Sequence, residues 1–292
     1  MKILYINGWI HPKNSNAIRR YINIEFTFCN VNELQNFTLS QFDCVYSPST
    51  AIQVSLYPNT IFIFGPHFDI FNFPVHQING NRTAYIMLCE WVKNLNSNSV
   101  FLNNNIRLYD IPFGVDTDTF NEITPIRERT KVFVYHKRRQ PNELHFLEDF
   151  LKTNNIEYVF FDYVKKYKEE DYLKCLHDSV FGIWLDAHES QGFALEEALS
   201  CNVPLFVWNV KSMNQEHGSN YQNIHATTIP YWDERCGEVF YTADELFDKF
   251  QLFISKLDTY KPREYVLENL SIEVCEEKFI QMVNNMKENS TK

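Results

Sequence analysis

No apolar run in this chain is long enough to cross a bilayer as a helix, and no two of its cysteines stand in a C-x-x-C pair. Cys29, Cys44, Cys89, Cys175, Cys201, Cys236 and Cys275 are dispersed, odd in number and lack the spacings of a zinc site. They predict reduced core thiols in a cytosolic setting. A basic surplus is missing too. The formal charge of -10 and the pI near 5.4 exclude the basic footprint of a nucleic-acid protein. Basic residues cluster only at Lys137-Arg138-Arg139 and Lys165-Lys166, which excludes a polybasic membrane patch. There is no internal repeat and no low-complexity segment. Met1 to Ile6 passes directly into a strand pattern without the length or cleavage site of a leader, so the expected location is cytoplasmic.

What is present can build a sizeable core. Of 292 residues, 45% are apolar and 16% aromatic, enough for one large or two ordinary domains. In the first part, apolar runs end at turn residues: Lys2–Ile6 at Asn7-Gly8, Asp43–Tyr46 at Ser47-Pro48, and Thr60–Phe64 at Gly65-Pro66. Ala84–Leu88 leads into a helix over 89–95, and Val100–Leu102 is a further run. Such runs predict a parallel sheet rather than hairpins. The intervening helices are faint, with 19–24 and 54–57 as candidates. In the second part, strands are predicted at 131–135, 156–161, 180–185 and 205–208. Helices are predicted at 142–152, where Leu144, Leu147, Phe150 and Leu151 share a face, at 170–177 and at 194–201. Thr242 to Glu245 reads as a capping box opening a helix over 246–257, and Lys261-Pro262 as a break. A last helix over 272–286 carries Phe279, Met282, Val283 and Met286 on one side.

The most informative stretch is Glu189-Ser-Gln-Gly-Phe-Ala-Leu-Glu-Glu197-Ala-Leu-Ser-Cys-Asn-Val-Pro204. It follows the apolar run Val180–Leu185 and places two carboxylates around a strand-to-helix junction. Between them Gly192 frees the backbone to turn and approach a ligand. In an open α/β domain such a junction is where ligands bind, and the helix that starts there offers N–H groups to an anion. The competing reading is a solvated helix face. The order of strand, glycine turn, helix and Val-Pro before the next strand favours the site.

This stretch resembles the Glu-x7-Glu motif of retaining glycosyltransferases of the GT-B fold, group 1, family 4 in particular. Glu197 to Pro204 is similar to that family's E-A-x-A/S-C-G-x-P. Upstream, Ile111-Pro-Phe-Gly-Val-Asp-Thr-Asp-Thr-Phe120 resembles I-P-N-G-V-D-x-x-x-F, the connection between two domains. The resemblance implies an α/β fold of two Rossmann-like, doubly wound domains facing a cleft, the N-terminal one reduced. The implied domains are an acceptor side at 1–122, a nucleotide-sugar donor domain at 123–271, and a helix at 272–292 crossing back.

The resemblance also implies roles. Glu197 would bind donor ribose hydroxyls, and Glu189 a hydroxyl of the donor sugar. Backbone N–H groups at Gly192 and Phe193 would contact sugar or phosphate. Lys137, Arg138 and Arg139 match the family's clamp on the diphosphate loosely, the alternative being an exposed basic turn. His67 resembles a strand-end histidine facing the donor sugar, the alternative being a structural histidine. The expected reaction moves a sugar from a nucleotide-diphosphate-sugar to a glycan or other hydroxyl acceptor, with retention. No metal and no further cofactor is implied, so Asp116-Thr-Asp118 is read as a coincidence rather than a metal motif. A catalytically silent nucleotide- or glycan-binding protein is the alternative. Departures from the pattern are Phe113 in place of asparagine, a first loop without Gly-Gly, and Asn202 where glycine is usual; asparagine also accepts a left-handed cap. Trp9 is given a packing role ahead of stacking on an acceptor sugar.

Overall fold

A computed structural model describes residues 1–68, 73–97 and 106–288. The chain divides into two compact units. One runs from Met1 to Gly114 and resumes at Ile272; the other runs from Val115 to Ser271.

The first unit is built on strands β1 (Lys2–Ile6), β2 (Glu25–Cys29), β3 (Cys44–Ser47), β4 (Phe62–Phe64), β5 (Thr83–Met87) and β6 (Arg107–Asp110). They form one sheet in the order β2-β1-β3-β4-β5-β6, every pairing parallel. Inner strands of such a sheet are covered on both faces, which is why β5 buries all five of its residues. The apolar runs read from the sequence are these inner strands. The two edge strands escaped notice because each has one free side and carries exposed or half-exposed residues at most positions. Val100–Leu102 lies outside the described residues.

Helix α1 occupies Pro12–Arg19, earlier than the expected 19–24, because Pro12 supplies a pre-set first turn and His11 Nδ1 accepts the Lys13 N–H at 3.3 Å. Residues 54–56 make only a 3-10 turn. A short helix α2 (Glu90–Asn96) follows β5. The helix that starts at Ile272 buries Phe279, Met282, Val283 and Met286 in a core with Ile3, Tyr46, Ile63 and Ile86. Its buried Glu276 accepts the backbone and side-chain N–H groups of Asn23 at 2.5 and 3.1 Å. Trp9 contradicts its expected packing role: it is 70% exposed.

The second unit holds β7 (Lys131–Lys137), α3 (Pro141–Thr153), β8 (Val159–Asp162), α4 (Glu169–Asp178), β9 (Ser179–Asp186), α5 (Phe193–Ser200), β10 (Leu205–Trp208), β11 (Gly237–Phe240), α6 (Leu246–Ser255) and α7 (Pro262–Asn269). The sheet order is β11-β10-β9-β7-β8, again all parallel. Alternate residues feed two cores. Phe133, Tyr135, Trp184, Leu205 and Val207 face α4, α5 and α7, whereas Val134, Ile183, Leu185, Phe206 and Trp208 face α3 and α6. Gly182 in β9 is demanded by closeness, since a Cβ there would lie 2.2 Å from the Phe133 ring. Tyr135 and Trp184 then stack at 4.0 Å and 4°.

The helices follow their sequence signals. Leu147 and Leu151 of α3 are fully buried. The capping box at Thr242 closes through Glu245 Oε2, which accepts the N–H of Tyr241 at 2.7 Å and of Thr242 at 3.1 Å. Asn202 takes the left-handed conformation, φ 58°, after α5. The expected break at Lys261-Pro262 is instead a helix start, with Pro262 in the first turn of α7. All seven cysteines are buried thiols outside any disulfide. No helix among the described residues is long and apolar enough to cross a membrane.

Candidate functional site

In the second sheet β7 lies between β8 and β9, so the chain moves outward to one side after β7 and to the other after β9. The helices that follow these two strands cover opposite faces, α3 in one core and α5 in the other. The backbone therefore parts at their carboxyl ends, which is where α/β sheets bind ligands. Register puts Lys137, the last residue of β7, beside Asp186, the last residue of β9.

Glu189 follows three residues later and meets Lys137 there. Lys137 Nζ is 2.5 Å from Glu189 Oε1 and 4.0 Å from Asp186 Oδ2. The exposures of these side chains are 17% for Lys137, 15% for Glu189 and zero for Asp186. Burial opposes the charge on Lys137, but Asp186 and Glu189 outweigh it and raise its pKa. Burial also works to raise the pKa of Glu189, yet Lys137 and hydrogen bonds to Asp186 and Lys137 bring it below the usual carboxylate range. For Asp186 burial dominates and its carboxyl is pushed well above that range. The Lys137 ammonium also sits 4.7 Å over the ring of Tyr163.

The three neighbouring basic residues have separate fates. Arg138 adopts a left-handed φ of 51° and its Nη1 donates to Glu216 Oε1 at 2.9 Å, with 54% of its side chain exposed. The other oxygen of Glu216 lies 2.8 Å from His188 Nε2. Burial holds the His188 pKa down despite Glu216, so a neutral imidazole stands beside this carboxylate. Arg139 turns inward instead. It is fully buried, grips both oxygens of Glu143 at 2.7 and 2.8 Å, and donates to the carbonyls of Asp186 and Trp208 at 3.2 and 2.6 Å. This corrects its assignment to a ligand clamp: its donors tie the ends of β9 and β10 to α3.

Gly192 caps α5 at φ 87°. A Cβ there would meet nothing closer than 3.6 Å, so the left-handed backbone and not crowding calls for glycine. Phe193 opens the helix. Glu197 lies in its second turn, 3% exposed. Both Glu189 and Glu197 act on the Tyr167 hydroxyl, whose pKa is pushed up to about 12, by burial first and then by these carboxylates against a hydrogen bond to Tyr135. The two glutamates of the spacing thus share an electrostatic neighbourhood. His67 belongs to the first unit, where its Nδ1 meets the Tyr85 hydroxyl and its ring lies 5.4 Å from that of Phe73.

Asp186, Glu216, His188, Tyr163 and Tyr167 were not singled out in the sequence. Asp186 had a visible cue, a lone charge closing an apolar strand. Glu216 lies in the polar stretch after β10 without any pattern. Asp116 accepts the N–H groups of Asp118 and Thr119 at 3.2 and 3.1 Å, a local turn. No group of three or more His, Cys, Asp or Glu among the described residues is arranged to hold a metal ion.

No protein-family model matches the chain, and neither does any curated protein. Solved structures do match in fold. AviGT4, a glycosyltransferase involved in avilamycin A biosynthesis, is similar at 12% identity and a TM-score of 0.57, over 98% of this chain and 97% of its own. Sucrose-phosphate synthase from Thermosynechococcus elongatus gives 11% and 0.54, over 98% of each chain. The catalytic domain of starch synthase IV from Arabidopsis thaliana, bound to ADP and acarbose, gives 12% and 0.51, over 86% of this chain and 73% of its own. Together with two parallel sheets, each layered with helices, these matches establish the architecture as the α/β GT-B fold of glycosyltransferases.

Proposed function

We propose that the protein is a retaining glycosyltransferase that moves a sugar from a nucleotide-diphosphate-sugar to a hydroxyl of a glycan or other acceptor. The observation that supports this reading is the Lys137–Glu189 pair at the switch point between β7 and β9, followed in the chain by the Gly192 cap of α5 and by Glu197 in that helix. Transfer needs the growing negative charge on the leaving diphosphate to be neutralised and the sugar to be held as its anomeric carbon becomes oxocarbenium-like. Lys137 and the exposed Arg138 would meet the diphosphate, and the first-turn N–H groups of α5 at Gly192 and Phe193 would assist. Glu189 would accept a sugar hydroxyl and Glu197 the ribose hydroxyls, bonds strengthened by the carboxylate charge. No metal is invoked, because the cations and helix terminus supply the neutralisation. A shared fold with a synthase solved with ADP and acarbose supports the ligand class.

A thermal-shift panel with UDP, GDP, ADP, dTDP and their common sugar conjugates tests the proposal. A nucleotide at about 100 times its Kd stabilises the fold by roughly 2.7 kcal/mol. Selective stabilisation by one nucleotide is the expected result, and Glu197→Ala should weaken that affinity about 10- to 100-fold by removing a charged acceptor worth ~1.5–3 kcal/mol. A flat panel, or unchanged affinity in the variant, overturns the assignment.

A further inference from the structure

The proposed donor reading gives Asp186 no task, yet it is the most deeply buried charge-bearing side chain of the site. It ends β9 opposite Lys137 and is wholly inaccessible. Neither carboxyl oxygen receives an N–H or O–H in hydrogen-bonding geometry. The Lys137 ammonium stands 4.0 Å away, beyond hydrogen-bond length, because it is committed to Glu189 at 2.5 Å. Glu189 shares that ammonium, so two carboxyl groups are set around one cation. Both ionised, they would leave a surplus negative charge in a dry pocket, and a proton on one of them removes it. Position decides which one. Glu189 keeps 15% of its side chain in solvent and touches the ammonium; Asp186 has neither advantage. A dry carboxylate without a donor takes up a proton rather than stay charged.

We propose that Asp186 is a carboxylic acid at neutral pH and a positioning residue, donating its O–H to Glu189. The proton stays on Asp186 and no bond to carbon is made or broken. Glu189 is then held from two sides, by the Asp186 hydroxyl and the Lys137 ammonium, which fixes its orientation for a ligand hydroxyl. The groups facing Asp186 agree with this state. Lys137 and Tyr135 come from β7, Glu189 from the loop after β9, and Arg139 donates to the Asp186 carbonyl while its charge is matched by Glu143. Lys137 is the cation that reaches towards Asp186, and Glu189 holds it more closely. The protonation state is independent of the donor reading; the benefit to a sugar ligand rests on it.

The experiment has two arms on the full chain. Infrared spectra of the ligand-free protein should show the carbonyl stretch of a protonated carboxyl group at neutral pH, shifted in heavy water and absent from Asp186→Asn. Absence of such a band in the wild type overturns the proposal. In the second arm, thermal shifts with UDP, GDP and ADP and their glucose conjugates compare wild type, Asp186→Asn and Asp186→Val. Asparagine can still donate an N–H to Glu189 and should keep the added shift from the sugar; valine cannot, and should lose that increment while keeping the nucleotide shift. Equal sugar increments in all three refute positioning. If the wild type answers no nucleotide, the donor reading fails, and the infrared band still decides the state of Asp186. Should the valine variant fail to fold, the asparagine variant losing the sugar increment refutes positioning and its retaining the increment supports it.

Discussion

Replacing Lys137 by methionine keeps the length of the side chain and removes the ammonium paired with Glu189. The pair is buried on both sides, 17% and 15% exposed, and joined at 2.5 Å. Breaking a buried ion pair by deleting one partner costs about 3–5 kcal/mol when the other charge must stay. Here it need not stay, because Glu189 can protonate. In the wild type its folded pKa is depressed by Lys137, so its share of stability is present above the unfolded carboxylate pKa and fades as pH falls through the folded one. Without Lys137, burial is left as the dominant influence and the folded pKa rises above the unfolded value of about 4.3. The variant then binds more protons folded than unfolded, and loses stability as pH climbs, by up to about 1.4 kcal/mol per unit for one proton. The deficit of Lys137→Met should therefore be about 1 kcal/mol near pH 5, mainly lost contact with Tyr163, and reach about 3–5 kcal/mol by pH 8. Urea unfolding at a series of pH values measures it, and adding Glu189→Gln should flatten the dependence. A deficit that does not vary with pH refutes this account of the pair.

Arg139→Met should cost about 3–5 kcal/mol in the same assay, since Glu143 and two strand-end carbonyls lose their donor, yet leave nucleotide affinity of the folded protein unchanged. A selective loss of affinity would return Arg139 to the ligand. Gly192→Ala should lose about 1–2 kcal/mol from the left-handed backbone alone, because no atom crowds the new methyl; a loss near zero in thermal unfolding would mean that α5 starts differently. Phe279→Ala should destabilise by about 3–5 kcal/mol, as its ring packs edge-on to Tyr46 at 5.6 Å in the first unit's core. An unchanged melting temperature would detach that helix from the core.

The inner strands were legible because a strand covered on both faces must be apolar where it is buried, as at residues 3–6 and in Leu205–Trp208. Edge strands such as Glu25–Cys29 obey no such demand, and the same segment can be read as loop. Pro262 was ambiguous for a different reason: proline stops a helix from within and starts one from its first turn, and only the packing of Tyr265 and Val266 decides between them. In the site, the glutamate pair and Gly192 were legible because the chemistry lies within one local segment. Sequence proximity also grouped Lys137, Arg138 and Arg139 as one basic cluster. Alternation along the chain sends them to different partners, and Arg139 is lost to the interior because Glu143, one helical turn on, completes its fork. Glu216 is 78 positions from Arg138, and nothing local announces that pairing.

Those long-range partners change what the site can offer an anion. Lys137 is matched by Glu189 and Arg138 by Glu216, while His188 is held neutral and the burial of Asp186 favours its uncharged form. The two cations are therefore balanced charge for charge by two carboxylates. A diphosphate brings at least two negative charges, so it competes with Glu189 and Glu216 for cations that each face one. Such competition is sharper where water is excluded, since opposing charges there are little screened. Lys137 is the deeper and more tightly held of the two; Arg138 is the half-exposed one, able to turn with little desolvation. On this balance, under the proposed donor reading, an arriving diphosphate would take Arg138 first, and would draw on Lys137 only as the sugar engages Glu189. The neutral state of Asp186 matters at that step: a third carboxylate charge beside Lys137 would oppose the exchange.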